Sequence, residues 1–271
     1  NYRNRLDSYF ATLGASVNYT YDPITVLINP LSLTTDANNA AYLGEPCRPD
    51  GTMERCLIFL RPAAISDTDS EKKSTNKCGK SPAQLYDMAR EAVVLAHEYQ
   101  HYVTDMIAHL SFSAKGNSVA DVLHEAYSDY LAASYVTDLA GRDVTLVAQY
   151  ALQDCAPLQR ELSILRIFQN SSAEQDPHLA GLTWASGFWK LRQELGTAVT
   201  DLLALKSLFF LSVNPGVSES VEAIVKADKA LFSGTHVSRI RTLFYEDARV
   251  IAGQSGIFRD YENGIVEMGI R

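Results

Sequence analysis

The stretch HEYQH at residues 97–101 places two histidines four positions apart, with a glutamate directly after the first. Apolar residues recur around it at helical spacing, which predicts a helix through this stretch. On one helix face, His97 and His101 can present two imidazole nitrogens to a single metal ion. Glu98 projects about 100° away around the axis. This position suits a base beside a metal rather than a metal ligand.

A second stretch, HEAYSD at 124–129, adds carboxylates to the same prediction. Glu125 and Asp129 are four apart on a helix predicted from about Ser118 to Leu139. One carboxylate can bind the metal, while the other accepts a hydrogen bond from the far nitrogen of a ligating histidine. Two histidines and a carboxylate favour zinc over calcium or magnesium. A catalytic zinc needs three protein ligands and an open position.

The alternative interpretation of HEYQH is a solvated helix face without a metal. The flanking segments VVLA and YVTDMIAHL are apolar, which predicts that this turn is buried. Buried histidine and glutamate side chains need partners, and a metal ion supplies them. His124 repeats the His-Glu pair, but Ser128 stands where a second histidine would be needed. We therefore predict that His124 is a surface or hydrogen-bonding residue and not a ligand.

The bulk properties exclude several function classes. The chain has 271 residues, of which 46% are hydrophobic, and a net charge of −8. The acidic balance argues against a nucleic-acid partner. The longest apolar run, at 202–213, contains Lys206 and predicts a buried helix rather than a membrane span. Because the chain begins with Asn1 and not Met, we expect a processed protein whose targeting segment is out of sight.

The four cysteines are consistent with a secreted or periplasmic protein. Cys47 and Cys56 flank a turn-like PDG and could join a hairpin, and Cys78 could then pair with Cys155. The alternative is four reduced thiols in a cytosolic protein. Cys47 and Cys78 lie in polar loops where a free thiol has little reason to pack, which favours disulfides.

The pattern along the chain predicts an α+β fold with its strands near the N-terminus. Strands are expected at 21–30 and 55–60, and a long helix is expected to begin at Ser81-Pro82. Further helices are predicted at 1–14, 143–153, 157–169, 180–195, 197–211, 217–232 and 235–252.

The two metal-site segments resemble those of the thermolysin-like zinc metallopeptidases, of the gluzincin type. HEYQHYVTDMIAHL looks like the zinc helix of that family, and HEAYSDY is similar to its third-ligand segment. The resemblance implies that Glu125 is the third zinc ligand and that Asp129 contacts His97. It also implies two lobes with the zinc cleft between them: residues 1–116, rich in strands and including the zinc helix, and 117–271, mainly helical. Together they would form one catalytic unit.

Two further segments agree with this resemblance. NNAAY at 38–42 resembles the family's edge strand, where a substrate backbone adds as a further strand, so Asn39 and Ala40 are expected to bind peptide. PHLAGLTWASGFWKL at 177–191 resembles the segment whose histidine stabilises the tetrahedral intermediate, which implies this role for His178.

The chain also departs from the family pattern. The oxyanion-binding tyrosine of the family falls on Phe112, which has no hydroxyl. The acidic partner of His178 has no residue at matching spacing, and Glu174 or Asp176 could serve. Arg160 and Arg166 are weak candidates for the arginine that grips the substrate carbonyl. No calcium-binding pattern of the family is present, so calcium is not predicted, and SDTDSE at 66–71 is expected to be a solvated loop.

The resemblance predicts a zinc metalloendopeptidase, a hydrolase with one catalytic zinc ion and with Glu98 as general base. Its expected partners are a peptide or protein substrate and a propeptide or inhibitor, without nucleic acid or membrane, and we expect a monomer. The alternative is a catalytically weak or inactive zinc-binding domain that holds peptides on its edge strand. A third possibility is a scaffold in which HEYQH is a plain helix face.

Overall fold

The computed structural model describes residues 2–13, 24–28, 39–43, 56–60, 88–111, 118–149, 160–168 and 176–250. Within these residues the fold is α+β and mostly helical, with two small sheets. The helices are α1 (Tyr2–Thr12), α2 (Ala92–Ala108), α3 (Val119–Ala140), α4 (Pro177–Leu195), α5 (Thr197–Leu208), α6 (Val217–Phe232) and α7 (Val237–Arg241). The strands are β1 (Thr25–Ile28), β2 (Asn39–Leu43), β3 (Cys56–Leu60), β4 (Leu146–Val147) and β5 (Arg160–Glu161).

The larger sheet has the strand order β1-β3-β2. β3 pairs in parallel with β1 and antiparallel with β2, with Ala40 opposite Phe59. Residues 56–59 of β3 are all buried, as expected of a central strand that is covered on both faces. β2 therefore lies at an edge of the described sheet, and the hydroxyl of Tyr42 connects it to α2 by donating to Asp105 Oδ2 at 2.7 Å.

α3 has well-defined ends because its sequence supplies both caps. Ser118 Oγ accepts a hydrogen bond from the Asp121 amide at 3.1 Å, and Asp121 Oδ2 accepts one from the Ser118 amide at 2.8 Å. This reciprocal pair is a capping box. At the other end, Gly141 adopts a left-handed φ of 65°, which a glycine reaches without steric penalty. The helix predicted from about Ser118 to Leu139 is thus confirmed within one residue.

The core of the helical part lies where α3, α4 and the C-terminal elements meet. The ring of Phe188 packs against Tyr127, Tyr130 and Phe244, with centroid distances of 5.3, 5.2 and 5.9 Å. All four side chains are essentially inaccessible to solvent. Aromatic burial on this scale contributes several kcal/mol and fixes α3 against α4.

Helix α2, which carries HEYQH, begins later than its sequence predicts. The expected start at Ser81-Pro82 is wrong: Glu91 is extended, with φ −105° and ψ 117°, and α2 begins at Ala92. A separate 3-10 turn at Met88–Arg90 precedes it. The helix ends at Ala108, because His109 takes a left-handed φ of 49°. Helical periodicity alone did not reveal these breaks, since no Gly or Pro marks them.

The helices predicted at 143–153 and 157–169 are also wrong in the part of these ranges that the structure describes. β4 and β5 pair antiparallel there, with Leu146 opposite Glu161 and Val147 opposite Arg160. Residues 162–168 follow as bends and extended chain. The helix predicted at 235–252 is short, since α7 gives way to a π-helical turn at Thr242–Asp247. The remaining helices and the strands at 21–30 and 55–60 are confirmed.

Several predictions concern residues outside the described ranges. Cys47, Cys78 and Cys155, Phe112, Glu174 and the loop at 66–71 belong to this group. Cys56 is fully buried in β3 and is disulfide-bonded, but its partner is outside the described residues. The pairing with Cys47 therefore stays a prediction, as does the division at residue 116. None of the described helices is long and apolar enough to cross a membrane.

Candidate metal centre

Three side chains from two helices converge on one small space. His97 and His101 come from α2 and Glu125 from α3, and one potential ligand atom of each lies within 4.8 Å of the others. The Nε2 atoms of the two histidines are 3.0 Å apart. Glu125 Oε2 lies 3.3 Å from His97 Nε2, and Glu125 Oε1 lies 3.6 Å from His101 Nε2. Two imidazole nitrogens and a carboxylate are a donor set that can hold a metal ion.

The site is buried because the ligand turn of α2 packs against α3. His97 and His101 are 2% and 6% exposed, and their neighbours Ala96, Tyr102 and Val103 belong to the core. A solvated helix face is therefore excluded for HEYQH. Buried polar groups of this kind need partners, and the two facing Nε2 atoms can both be satisfied by a shared metal.

His97 is held from behind by a charged pair. Its Nδ1 lies 2.8 Å from Asp129 Oδ1. Arg160 of β5 places Nε 3.1 Å from Asp129 Oδ2. Burial disfavours a charged His97 ring, but the hydrogen bond and charge of Asp129 outweigh it and raise the pKa of His97 to about 10. A proton on Nδ1 leaves Nε2 facing the ligand space.

The Nδ1 atom of His101 faces a different kind of residue. Its Nδ1 lies 3.4 Å from Nδ1 of His124, a residue of α3 that is fully buried. The prediction of a surface position for His124 is therefore wrong, while the predicted hydrogen-bonding contact is present. Burial lowers the pKa of His101 well below its usual value, and burial also lowers the pKa of His124 to about 4. Both rings are thus neutral near pH 7.

Glu98 is buried beside the ligands, with an exposed fraction of 6%. Burial raises its pKa, and the nearby carboxylate of Glu125 acts in the same direction. His97, Arg160 and His178 act against this rise. Glu125 behaves in the opposite way: burial works against its charged form, but the adjacent histidines hold its pKa well below the usual value. The two neighbouring glutamates therefore differ in their affinity for a proton, and Glu98 is the one suited to accept it.

His178 reaches the same centre from the first turn of α4. Its Nε2 lies 3.2 Å from Glu125 Oε2, and its Nδ1 lies 2.8 Å from Asp176 Oδ1. Asp176 also caps α4 by accepting the His178 amide at 3.0 Å. Asp176, one of the two acidic partners suggested by the sequence, is thus in contact with His178, and Glu174 lies outside the described residues. The imidazole of His178 is 41% exposed, so this residue faces the accessible side of the centre.

The approach of α4 to α3 depends on a glycine. A Cβ atom at Gly181 would lie 3.0 Å from the Val122 carbonyl, 3.1 Å from the Ala126 amide and 3.2 Å from Glu125 Cβ. The two helices therefore touch through their backbones at the turn that carries Glu125. Gly181 lies within one turn of His178, so this contact also positions His178 over the centre.

The remaining predicted residues are placed as follows. Ala40 lies on β2 and Asn39 begins that strand, but the Asn39 side chain is not described. Arg160 contacts Asp129 rather than an open space. Arg166 uses its backbone amide to donate to Ser186 Oγ at 3.0 Å. The structure thus gathers His97, Glu98, His101, Glu125, Asp129 and His178, and leaves the peptide-binding prediction for Asn39 and Ala40 untested.

Sequence reasoning missed two neighbours of this centre. Arg160 lies in the segment 157–169 that was predicted to be helical, and no local signal connects it with Asp129. His124 was dismissed because it lies about 100° from Glu125 around the helix axis. That angle places it beside Nδ1 of His101 instead of in the ligand space, a contact that arises only from the packing of α2 against α3.

No family model matches the chain, and no curated protein matches it significantly.

Proposed function

We propose that the protein is a zinc-dependent endopeptidase of the thermolysin-like, gluzincin type. The observation that carries this proposal is the convergence of His97, His101 and Glu125 beside a buried Glu98. The donor set fits zinc, since imidazole and carboxylate ligands in a three-residue group are typical of catalytic zinc sites. The two-lobed thermolysin-like fold, with a cleft between the lobes, is part of the same proposal.

A zinc ion held by these three residues would supply Lewis acidity toward water and toward the peptide carbonyl. Glu98 accepts the proton of the attacking water and transfers it to the leaving amine. Its burial raises its pKa, which makes it a stronger base than a solvated glutamate. Asp129 and Arg160 hold the His97 ring so that Nε2 points at the ligand space.

His178 stabilises negative charge on the carbonyl oxygen in this mechanism. Its Nδ1 is directed at Asp176, which fixes the ring plane, and Nε2 faces the centre. A protonated ring can donate from both nitrogens at once, to Asp176 and to the developing oxyanion. Removal of one such donor typically lowers kcat by about 10²–10³-fold.

The substrate is a peptide or protein, bound along β2 as an added strand near Asn39 and Ala40. Among the described strands β2 lies at the edge of the sheet, and Tyr42 connects it to α2, so a strand added there would run close to the helix of His97 and His101. We further propose a monomer that is secreted or periplasmic, with disulfides that suit this location.

The rival is a zinc-binding domain without turnover. A purely structural zinc site is closed by four protein ligands. Among the described residues the ligand group has three members, and His178 is not one of them. A base beside an open coordination position is consistent with catalysis and has no use in a closed site.

The Glu98→Gln variant tests the proposal. It keeps the size of the side chain but removes the base, so we expect about 10²–10⁴-fold slower peptide cleavage with one zinc still bound. Zinc stoichiometry is measured by elemental analysis and cleavage with a peptide library. Glu194→Gln, the same change in a surface pair with Arg239, is the matched control and should cleave like the wild type. Wild-type cleavage by Glu98→Gln, or a wild type without bound zinc, would overturn the proposal.

A further inference from the structure

Helix α1 presents one mixed face to the rest of the protein. Its members recur at spacings of three and four residues, which places them on one side of the helix: Tyr2, Arg5, Leu6, Tyr9 and Phe10. Leu6 and Phe10 belong to the hydrophobic core, with exposed fractions of 1% and 4%. Arg5 lies in the same face, and only 17% of its side chain is exposed. Burying a charge is costly unless it is paired, so this arginine needs specific partners.

Two carboxylates supply these partners. Arg5 Nη2 donates to Asp201 Oδ2 of α5 at 2.6 Å, and Arg5 Nη1 donates to Asp138 Oδ2 of α3 at 2.8 Å. The hydroxyl of Tyr9 also donates to Asp201 Oδ2, at 3.0 Å. The side chain of Asp201 is 2% exposed and that of Asp138 is 40% exposed, so Asp201 is the buried anchor and Asp138 lies at the edge. Charge-assisted hydrogen bonds thus tie α1 to two distant helices.

The two carboxylates divide their oxygens in the same way. Asp201 Oδ1 accepts hydrogen bonds from Tyr130 and Ser134 of α3, at 2.7 and 2.9 Å. Asp138 Oδ1 accepts one from Arg192 of α4, at 2.5 Å. In both residues Oδ1 is bound by α3 or α4, whereas Oδ2 is bound by α1. The Oδ1 contacts orient both carboxylates without any residue of α1, so α3, α4 and α5 by themselves form the receiving site for the guanidinium.

The start of α1 contacts α2, the helix of His97 and His101. The hydroxyl of Tyr2 donates to Gln100 Oε1 at 2.7 Å, and Gln100 is fully buried. The ring of Tyr2 also packs against that of Tyr99, with the centroids 6.0 Å apart. Helix α1 therefore contacts α2 through its first residue and contacts α3 and α5 about one turn later.

We infer that α1 is a strap, which docks as one unit into a socket that α3, α4 and α5 form without it and which thereby holds α2 against them. The socket consists of Asp138 and Asp201 with the residues that bind their Oδ1 atoms. Docking has one favoured geometry, because a displaced guanidinium would leave itself and both Oδ2 atoms unpaired. Release of α1 would uncover Gln100 on α2, while each socket carboxylate keeps its Oδ1 partners.

Hydrogen exchange of the wild type is the first test. The amides of residues 6–12 should share one protection factor, about tenfold or more below those of the slowest amides of α3 and α4, because α1 opens while the socket stays folded. Equal protection of α1, α3 and α4 would overturn the inference, since α1 would then open only when the whole protein unfolds. The exchange is measured without zinc or substrate, so its outcome is independent of the proposed peptidase activity.

The Arg5→Met variant tests the socket. It removes the charge but keeps a long side chain, so we expect the protection of α1 to fall about 10²-fold, with α3, α4 and α5 unchanged. Arg3→Met is the matched control, because Arg3 lies on the same helix, is 52% exposed and pairs with Asp7 at 3.9 Å. Its α1 protection should stay within about twofold of the wild type. Equal losses in the two variants, or an equal loss in α5, would contradict a socket that stands without α1.

The Tyr2→Phe variant tests the connection to α2 and leaves every contact of Arg5 in place. It removes the hydroxyl that donates to Gln100 and keeps the ring. We expect protection to fall about fivefold both in α1 and at residues 99–104 of α2, as for the loss of one hydrogen bond. A loss confined to α1, or no loss in either helix, would show that α2 is held without α1 and would overturn the strap.

Discussion

The two ligand histidines of α2 are supported by different chemistry, although they are one helical turn apart. His97 Nδ1 lies 2.8 Å from Asp129 Oδ1, and Arg160 Nε lies 3.1 Å from the other carboxylate oxygen, Asp129 Oδ2. Behind His101 lies the neutral ring of His124 at 3.4 Å. The charged side raises the pKa of His97 to about 10, whereas burial lowers the pKa of His101 well below its usual value.

The two histidines therefore have different electrostatic surroundings, although both face the same candidate metal site. On the His97 side, the charged carboxylate of Asp129 makes the ring more basic. A metal ion must then compete with a proton for the same ring nitrogen. On the His101 side, Nδ1 lies 3.4 Å from Nδ1 of the buried His124 ring, and no carboxylate stands in this place. Glu125 lies between the two rings and is shared by both sides.

Removal of Asp129 should produce the largest effect. In Asp129→Ala, Arg160 is left largely buried without its carboxylate and His97 loses its acceptor. Breaking a buried charged pair by removing one partner costs about 3–5 kcal/mol. Zinc affinity should also fall about 10–100-fold. Chemical denaturation and chelator competition measure the two effects.

Asp138→Ala is the matched control for this variant. Asp138 is on the same helix and pairs with Arg5 and Arg192, but its side chain is 40% exposed. Solvent-exposed pairs contribute about 0–1 kcal/mol, so a small loss of stability and unchanged zinc affinity are expected. Equal losses of stability in the two variants would mean that the buried pair of Asp129 and Arg160 contributes no more to folding than the exposed pairs of Asp138.

Substitution of Gly181 should displace Glu125, which lies near both His97 and His101, rather than the residues that contact either histidine from the other side. The added methyl group of Gly181→Ala meets backbone atoms of α3 beside Glu125, and such overpacking costs about 1–3 kcal/mol. Because α4 must move away from Glu125, both zinc affinity and the placement of His178 should suffer. Thermal unfolding and zinc titration provide the measurements.

Gly187→Ala provides the comparison for Gly181, since its added Cβ would approach the Phe244 ring at 2.6 Å, away from the metal ligands. We expect it to lose stability but to keep its zinc affinity. Unchanged zinc affinity and activity in Gly181→Ala would contradict a precise α3–α4 spacing at the site.

Zinc binding should also release a proton, and we expect this proton to come from His97. In the metal-free protein His97 keeps its second proton up to a pKa of about 10, whereas the pKa of His101 and that of Glu125 are lowered. Zinc must displace this proton, so affinity should rise about tenfold per pH unit between pH 7 and 9. Calorimetry in buffers of different ionisation enthalpy counts the protons, and a count near zero would contradict the asymmetry.

The raised pKa of His97 also makes the free energy of unfolding of the metal-free protein depend on pH. The folded-state pKa of His97 is raised from 6.5 to about 10, so its contribution to folding is complete below pH 6.5 and is lost as the pH rises toward 10. Asp129→Asn should remove most of this dependence, since the carboxylate is its source. Denaturation curves in the presence of a chelator would show it.

Helix α3 was predictable because its signals are local: Ser118 and Gly141 have the same capping function in any surroundings. The start of α2 at Ala92 was not predictable in this way, since no Gly or Pro marks it. The region between α3 and α4 was not predictable in this way. Short segments with apolar residues at mixed spacing fit a helix or a strand, and pairing between β4 and β5 decided the outcome.

By itself, the sequence determined which side chains share a helix face, because i and i+4 spacing on two helices places His97 with His101 and Glu125 with Asp129. It also placed Glu98 beside this group of candidate ligands, since Glu98 directly follows His97. The tertiary structure decided what lies behind each ligand: Arg160 reaches Asp129 from a distant strand, and His124 packs against His101 only because α2 and α3 meet at that turn. Contacts between distant elements have no period along the chain, so packing alone could reveal them.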